Sequence, residues 1–563
     1  MKRMATTLAA LLLTAASPPP VYDVLIRGGT IYDGSGGAPF VGDVGISNGT
    51  IRHVGPADGS AQGRTTVDAR GLAVAPGFIN MLSWANESLI ADGRSMSDIK
   101  QGVTLEVMGE GWSMGPLTPA MKAAAVRRQG DIRFPIEWTT LSDYQDWLTK
   151  RGIAPNIASF VGATTVRINV LGEGDVDPDP AQLARMQALV RQAMDDGAMG
   201  VGSSLIYAPA TYAETPELVA LMKAAAPCGG MYISHIRNES DDILPAIDEV
   251  VRIVRESGAK GGEIYHLKQA GAPNWGRLPA VVARIEAARA AGIRISADMY
   301  TYTAGATGLD AAMPPWVQAG GLEAWIARLK DPAIRRRVAA EMRAEGRGWE
   351  NLLLQAGGPD KVLFLEFKNP TLKPLTGRTL AEVARRRGTS PEETAIDLVI
   401  EDGSRVGTAY FLMDEANVAA QTALPWMAFG SDAASQAPEG VFLKSSTHPR
   451  AYGNVARLLG RYVREEKRTT LADAIRRLTG FPAANLGLAD RGLLKAGFAG
   501  DVAIFDSATI ADTATFAQPQ RYAIGMRHVF VNGVQVLRDG EHTGAKPGQV
   551  VRGPGWKRCS QVQ

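Results

Sequence analysis

The chain has 563 residues, 45% hydrophobic and 21% charged, with 60 basic and 58 acidic side chains for a net charge of +2. That length calls for roughly three or four domain-sized units, and the apolar content excludes general disorder. Near-neutral charge leaves no electrostatic footprint for nucleic acid or an anionic membrane surface, and the oligomeric state stays open.

The chain begins Met1-Lys2-Arg3, continues as an apolar run over 4–16, and reaches Ser17 before three prolines. A basic start, a short apolar run and small residues at its end read as a secretory signal over 1–17, which makes the protein periplasmic or secreted with no membrane attachment after removal. The run of 13 residues is too short to cross a bilayer comfortably. A frayed helix at the start of a cytoplasmic chain is the alternative.

Residues 21–73 hold short alternating runs, at 22–27, 43–46 and 51–54, separated by Gly28-Gly29 and Asn48-Gly49. These are hairpin signals. A similar set, at 501–505, 528–531 and 534–536 with Asn532-Gly533 between, lies within 488–552, ahead of a tail at 553–563. One β-sandwich built from both chain ends is expected.

The middle, residues 74–487, changes rhythm. Strand-like 230–235, 262–266 and 293–298 alternate with helix-like 241–258 and 278–292, and the strand ends His235, His266 and Asp298 recur at intervals of 31 and 32 residues. Strand–helix alternation at this length predicts an α/β fold, a (β/α)8 TIM-like barrel, with a doubly wound sheet as the alternative. From about 308 to 376 the rhythm breaks, around Pro314-Pro315-Trp316 and Gly357-Gly358-Pro359. This stretch is expected to be a small inserted subdomain covering the barrel mouth.

Two cysteines, Cys228 and Cys559, exclude a disulfide framework or a Cys-rich zinc site. Cys228 is expected as a buried thiol and Cys559 in a loose tail. Of six histidines, His53 and His528 lie in the β-rich ends and His542 in a late turn, leaving His235, His266 and His448 in the α/β region. His235 and His266 each end a strand. In a parallel barrel those ends share one face, where two imidazoles can converge on a zinc-like ion. Asp298 and Asp432 follow apolar runs too. A helix N-cap is the competing role for both. It is preferred for Asp298, and a functional role for Asp432 in Gly430-Ser-Asp432.

Val74-Ala-Pro-Gly-Phe-Ile79, Ser234-His-Ile-Arg-Asn-Glu239, His266-Leu-Lys268, Asp298-Met-Tyr-Thr-Tyr302, Gly430-Ser-Asp432 and His448-Pro-Arg-Ala-Tyr-Gly453 occur in an order that resembles the N-acyl-D-amino-acid deacylases (D-aminoacylases) of the amidohydrolase superfamily. The resemblance spans nearly the whole chain after the signal. It implies a metal-dependent hydrolase of N-acyl, D-configured amino acids or related small amides. Hydrolysis of cyclic amides or esters on the same fold is the nearest rival, and a binding protein that has lost its metal is the rival of a different class.

Two departures stand out. Where the superfamily has His-x-His at the end of its first barrel strand, this chain has Leu82 and Trp84, neither able to ligate. The family's cysteine-bearing segment is here Glu106-Val-Met-Gly-Glu110, so Glu110 is the candidate oxygen ligand, with an idle loop carboxylate as the equal alternative. What the resemblance then implies is one zinc ion, or another divalent metal, on His235, His266 and Glu110, with Asp432 carrying the proton. Lys268, Tyr300 and Arg450 match the positions that hold the substrate carboxylate. Trp84 is read chiefly as barrel packing, with narrowing of the pocket as the second option.

Overall fold

The computed structural model describes residues 20–57 and 59–561, so the expected signal at 1–17 lies outside the described residues. Eight parallel strands surround one axis: β1 (Phe78–Asn80), β2 (Val103–Met108), β3 (Asn156–Ser159, resuming at Val161–Gly162), β4 (Gly200–Ser204), β5 (Met231–His235), β6 (Gly262–Ile264), β7 (Ile295–Met299) and β8 (Met427–Phe429). The ring closes where the Met81 N–H donates to Phe429 O at 3.2 Å and the Asp432 N–H to Leu82 O at 2.8 Å. Closure decides for the barrel over the doubly wound sheet.

The crossovers are helical because their apolar residues recur on one stripe. The helix Ile243–Ser257 buries Ile243, Ile247, Val250 and Val254 against the barrel and stops at Gly258, whose φ of +70° only glycine adopts freely.

The two chain ends meet in one nine-stranded sheet. Val502–Phe505 pairs antiparallel with Ala73–Pro76, joining the C-terminal strands to the N-terminal ones. The sheet then folds over itself: the Ile51 N–H donates to Phe498 O at 2.8 Å and the Gly500 N–H to Gly49 O at 2.7 Å. Val24, Ile46, Ile51, Val502, Ile504 and Phe530 share the enclosed core. The sandwich is therefore a single sheet closed on its own apolar face.

Gly305–Gly308, Gly407–Tyr410 and Val362–Glu366 form a three-stranded antiparallel sheet. The departure from barrel rhythm thus reaches to 410, because the central strand of this sheet comes from well past residue 376.

The cysteine expectations are overturned. Cys228 and Cys559 are bonded to each other across 331 residues. The C-terminal tail is not loose: the Val551 N–H donates to Ile157 O at 2.8 Å, the Gly553 N–H to Gly197 O at 2.8 Å, and Arg552 pairs with Asp146 at 2.6 Å. These contacts carry the tail across the N-terminal end of the barrel and set Cys559 beside Cys228, a proximity that sequence separation conceals. Thiol titration of unreduced protein in denaturant is expected to find no free thiol. Cys228→Ser should lower stability by about 2–4 kcal/mol, read from a thermal or denaturant melt. Two titratable thiols before reduction would refute the pairing.

Candidate active site

His235 closes β5 and His266 lies two residues past β6, so the barrel brings both imidazoles to its C-terminal mouth with ring centroids 4.4 Å apart. His266 has φ +34°, and Asp298 Oδ1 accepts its backbone N–H at 2.9 Å. A non-glycine residue in this region needs such external support. Asp298 is accordingly not a helix N-cap. It sits inside β7, fully buried, bracing the backbone under the site.

Glu110 follows β2 between Gly109 and Gly111. A side chain at Gly109 would strike Phe160 O, and one at Gly111 would strike Ser204 Oγ. The two glycines let the loop press against the neighbouring strands and turn the carboxylate inward. Glu110 Oε1 lies 3.1 Å from His235 Nδ1 and 3.3 Å from His266 Nε2. Ligand atoms of these three side chains all lie within 4.8 Å of one another.

Behind the rings stands Glu239, to which sequence reasoning assigned no role. Its Oε1 is 3.0 Å from His266 Nδ1, and its Oε2 is 3.6 Å from His235 Nε2. Lys268 donates to both Glu239 oxygens, at 2.7 and 2.8 Å, and its Nζ is also 2.7 Å from His266 Nδ1. Lys268 lines the cavity, yet its ammonium is committed to Glu239 rather than left free for a substrate. With Nδ1 turned to Glu239 and Lys268, Nε2 is the His266 nitrogen that faces Glu110.

Burial pushes the Glu110 carboxyl up, but hydrogen bonds from His235 and His266 prevail and hold it at about 2. Burial also opposes charge on Glu239, and Lys268 with the two imidazoles keeps it well below the usual carboxylate range. Burial lowers His235. For His266, burial and Lys268 are outweighed by Glu239 and Glu110, and it is pushed up to about 10. The cluster is therefore an anionic trap holding a proton. Two imidazole nitrogens and one carboxylate oxygen, buried and convergent, fit a divalent ion that displaces that proton and keeps a coordination position open.

Asp432 follows β8 with φ +48°. Arg450 Nη2 donates to its Oδ2 at 2.8 Å and Trp84 Nε1 to its Oδ1 at 3.1 Å. Burial raises the Asp432 carboxyl, against the pull of Arg450. Arg450 Nε and Nη1 are buried without a protein partner, and the guanidinium carbon lies 4.4 Å from the centre of the Tyr300 ring. The Tyr300 hydroxyl also lacks a partner, and burial pushes it up to about 12, so it remains a donor. His448 is scaffold: its Nε2 donates to Ala304 O and its Nδ1 accepts the Arg450 N–H, both at 3.0 Å.

Leu82 is fully buried in an apolar cluster. Trp84 does more than pack. Its indole N–H faces Glu110 Oε2 at 3.1 Å as well as Asp432. Trp84, Glu110, His235, His266, Asp432 and Arg450 line a cavity of about 350 Å³, and Thr307, Leu365, Gly407 and Tyr410 of the inserted sheet form one wall of it. Glu239 and the double contact of Trp84 left no mark in sequence spacing. The one available signal was that Glu239 lies four residues after His235, on the same strand-end loop.

Residues 65–537 match the model of the amidohydrolase family. The chain is 33% identical to the D-aminoacylase of Alcaligenes xylosoxydans xylosoxydans over 94% of this chain and 97% of that one. Its fold is similar to the N-acyl-D-glutamate deacylase of Bordetella bronchiseptica, solved with zinc and a phosphonate inhibitor, at 29% identity and TM-score 0.77 over 94% and 99% of the two chains. A D-aminoacylase structure that addresses a binuclear metal centre, one-metal activation and second-metal attenuation is similar at 31% identity and TM-score 0.77, over 94% and 100%.

Glu239→Gln keeps the volume behind the imidazoles and removes the charge. It is expected to weaken divalent-metal affinity by roughly 10–100-fold, measured by chelator competition, with the far-ultraviolet spectrum unchanged. Unaltered affinity would show that Glu239 only neutralises Lys268.

Proposed function

Because the chain belongs to the amidohydrolase family, we propose that it hydrolyses the amide bond of N-acyl amino acids, D-configured by the activity of its relatives, or of related small amides, using one divalent ion. The observation that carries this reading is the convergence of His235, His266 and Glu110 beside Asp432 and the unpartnered Nε and Nη1 of Arg450. The relatives act as deacylases of linear N-acyl compounds, which favours that chemistry over the cyclic-amide and ester alternatives. The intact three-donor set speaks against a metal-free binding protein.

His235 Nδ1, His266 Nε2 and Glu110 Oε1 would hold the ion, and zinc suits this nitrogen-rich set. When bound, it supplies Lewis acidity toward the amide carbonyl and toward water. The protein does the rest. The Arg450 guanidinium, whose Nε and Nη1 have no protein partner, and the Tyr300 hydroxyl line the cavity and would meet the substrate carboxylate through charge-assisted hydrogen bonds. Asp432, its carboxyl raised by burial, accepts the proton lost by the attacking water and delivers it to the leaving nitrogen as the carbon–nitrogen bond breaks. Lys268 holds Glu239, and so the two imidazoles, in place.

Export is part of the same proposal. The leader-like start of the sequence and the Cys228–Cys559 bond support a periplasmic or secreted protein, since oxidising compartments preserve such bonds. Cell fractionation that finds the full-length chain in the cytoplasm would count against it.

Purified protein is expected to hold one zinc per chain and to release amino acid from N-acetyl-D-amino acids in preference to their L-isomers. Asp432→Asn should retain the metal and lose roughly 10²–10⁴-fold in kcat. Joint replacement of His235 and His266 by Ala should abolish both. Metal-free, folded, inactive wild-type protein after growth in zinc would overturn the proposal.

A further inference from the structure

We propose that Trp84 is a positioning residue: its indole N–H stands where a second cation would otherwise sit between Glu110 and Asp432, and limits the site to one ion. The inference rests on the one-ion hydrolase reading above and extends it to how the ion count is fixed.

Glu110 divides its oxygens. Oε1 faces the two histidines, and Oε2 accepts from Trp84 Nε1 at 3.1 Å. Asp432 divides its own in the same way, with Oδ2 on Arg450 and Oδ1 on the same indole nitrogen at 3.1 Å. One N–H therefore serves an oxygen of each of two carboxylates, which are brought together around it. Such a pair in a cavity wall repels, and the usual remedy is a cation between them. Here the remedy is a neutral dipole fixed to the main chain.

That dipole cannot be exchanged for an ion with ease. An indole nitrogen is a donor only and offers no lone pair to a metal. The other side chain of this strand end, Leu82, is fully buried and apolar, so neither residue can complete a second coordination shell. The main chain that carries the indole is also anchored: the Trp84 backbone N–H donates to Ala433 O at 3.0 Å, and Ser83 forms a β-bridge with Ala433, the residue after Asp432. The segment that carries the donor is thereby tied to the segment that carries the acid. Trp84 holds the free oxygen of the ligand Glu110 and the proton-carrying group at a fixed spacing.

The test combines metal counting with kinetics. Wild-type protein dialysed against excess zinc should plateau at one ion per chain by elemental analysis. Trp84→Phe keeps the ring and removes the N–H. It should stay folded by far-ultraviolet spectrum and thermal melt, and lose roughly tenfold or more in kcat with little change in KM. Leu82→His combined with Trp84→His should raise the plateau toward two, with a matching second step in a cobalt absorption titration. Two zinc ions on the wild type, or Trp84→Phe with unchanged kcat, would overturn the inference whatever the double variant does. Wild-type protein with no metal would instead overturn the hydrolase reading beneath it.

Discussion

Three carboxylates, Glu110, Glu239 and Asp432, converge with two imidazoles at the barrel mouth, and the electrostatics of that crowding govern the site. Removing one partner from a buried charge pair typically costs about 3–5 kcal/mol, so each anion needs a stated counterpart. Lys268 meets Glu239, Arg450 meets Asp432, and the two histidines meet Glu110. Two permanent cations for three anions leave the mouth short of positive charge, most acutely at Glu110. A divalent ion fills that deficit, and this is why the same geometry that would be costly as bare protein becomes a tight metal site. The barrel makes the crowding possible: only parallel strands with a common C-terminal face bring β2, β5, β6 and β8 to one point.

The interior beneath the mouth is built to hold that point still. Asp298 accepts the His266 N–H and so maintains a backbone conformation that a histidine does not adopt unaided. Burial, together with the neighbouring Glu263, raises the Asp298 carboxyl well above the usual range, and burial brings Glu263 up to about 7. Protonation therefore lets this pair sit below the histidines without adding two full anions. Ser296 and Asn485 donate to the other side of Glu263, at 2.7 and 3.4 Å. On the opposite side of the barrel Asn80 bridges Asp98, Glu106 and Ser431, the residue before Asp432. Buried polar networks of this sort specify one arrangement where an all-apolar core would tolerate several.

What sequence made legible follows from what periodicity can encode. Strand ends one βαβ unit apart, at 235 and 266, announced the two histidines, because repeat length fixes which face they share. Asp432 was legible through its turn context and Glu110 through its place after β2. Asp298 was misjudged because an aspartate at a strand end looks the same in sequence whether it caps a helix or points into a barrel. Lys268 was read as a substrate contact, and the structure adds its ion pair with Glu239, four residues past another strand end, which spacing alone does not reveal. The Cys228–Cys559 bond was hidden by 331 intervening residues and by the assumption that a chain end is loose, when Arg552 and the backbone at 551 and 553 hold it down.

Leu82 and Trp84, just past the first barrel strand, set the polarity of one side of the mouth without offering a metal ligand. Glu110 Oε2 and Asp432 Oδ1 both come to this side, where two carboxylates repel unless a donor stands between them. A leucine alone would deepen the apolar core and leave that repulsion standing. The tryptophan two residues on lies past the strand, immediately before the helix Ala85–Ala91, and delivers a single N–H to both oxygens. Polarity is thus supplied as a dipole, too weak to replace a cation's charge yet sufficient to orient two carboxylates at the barrel mouth. On this argument Trp84 conditions Leu82, since apolar packing at the strand end is tolerable only while the neighbouring donor keeps the acid and the ligand apart.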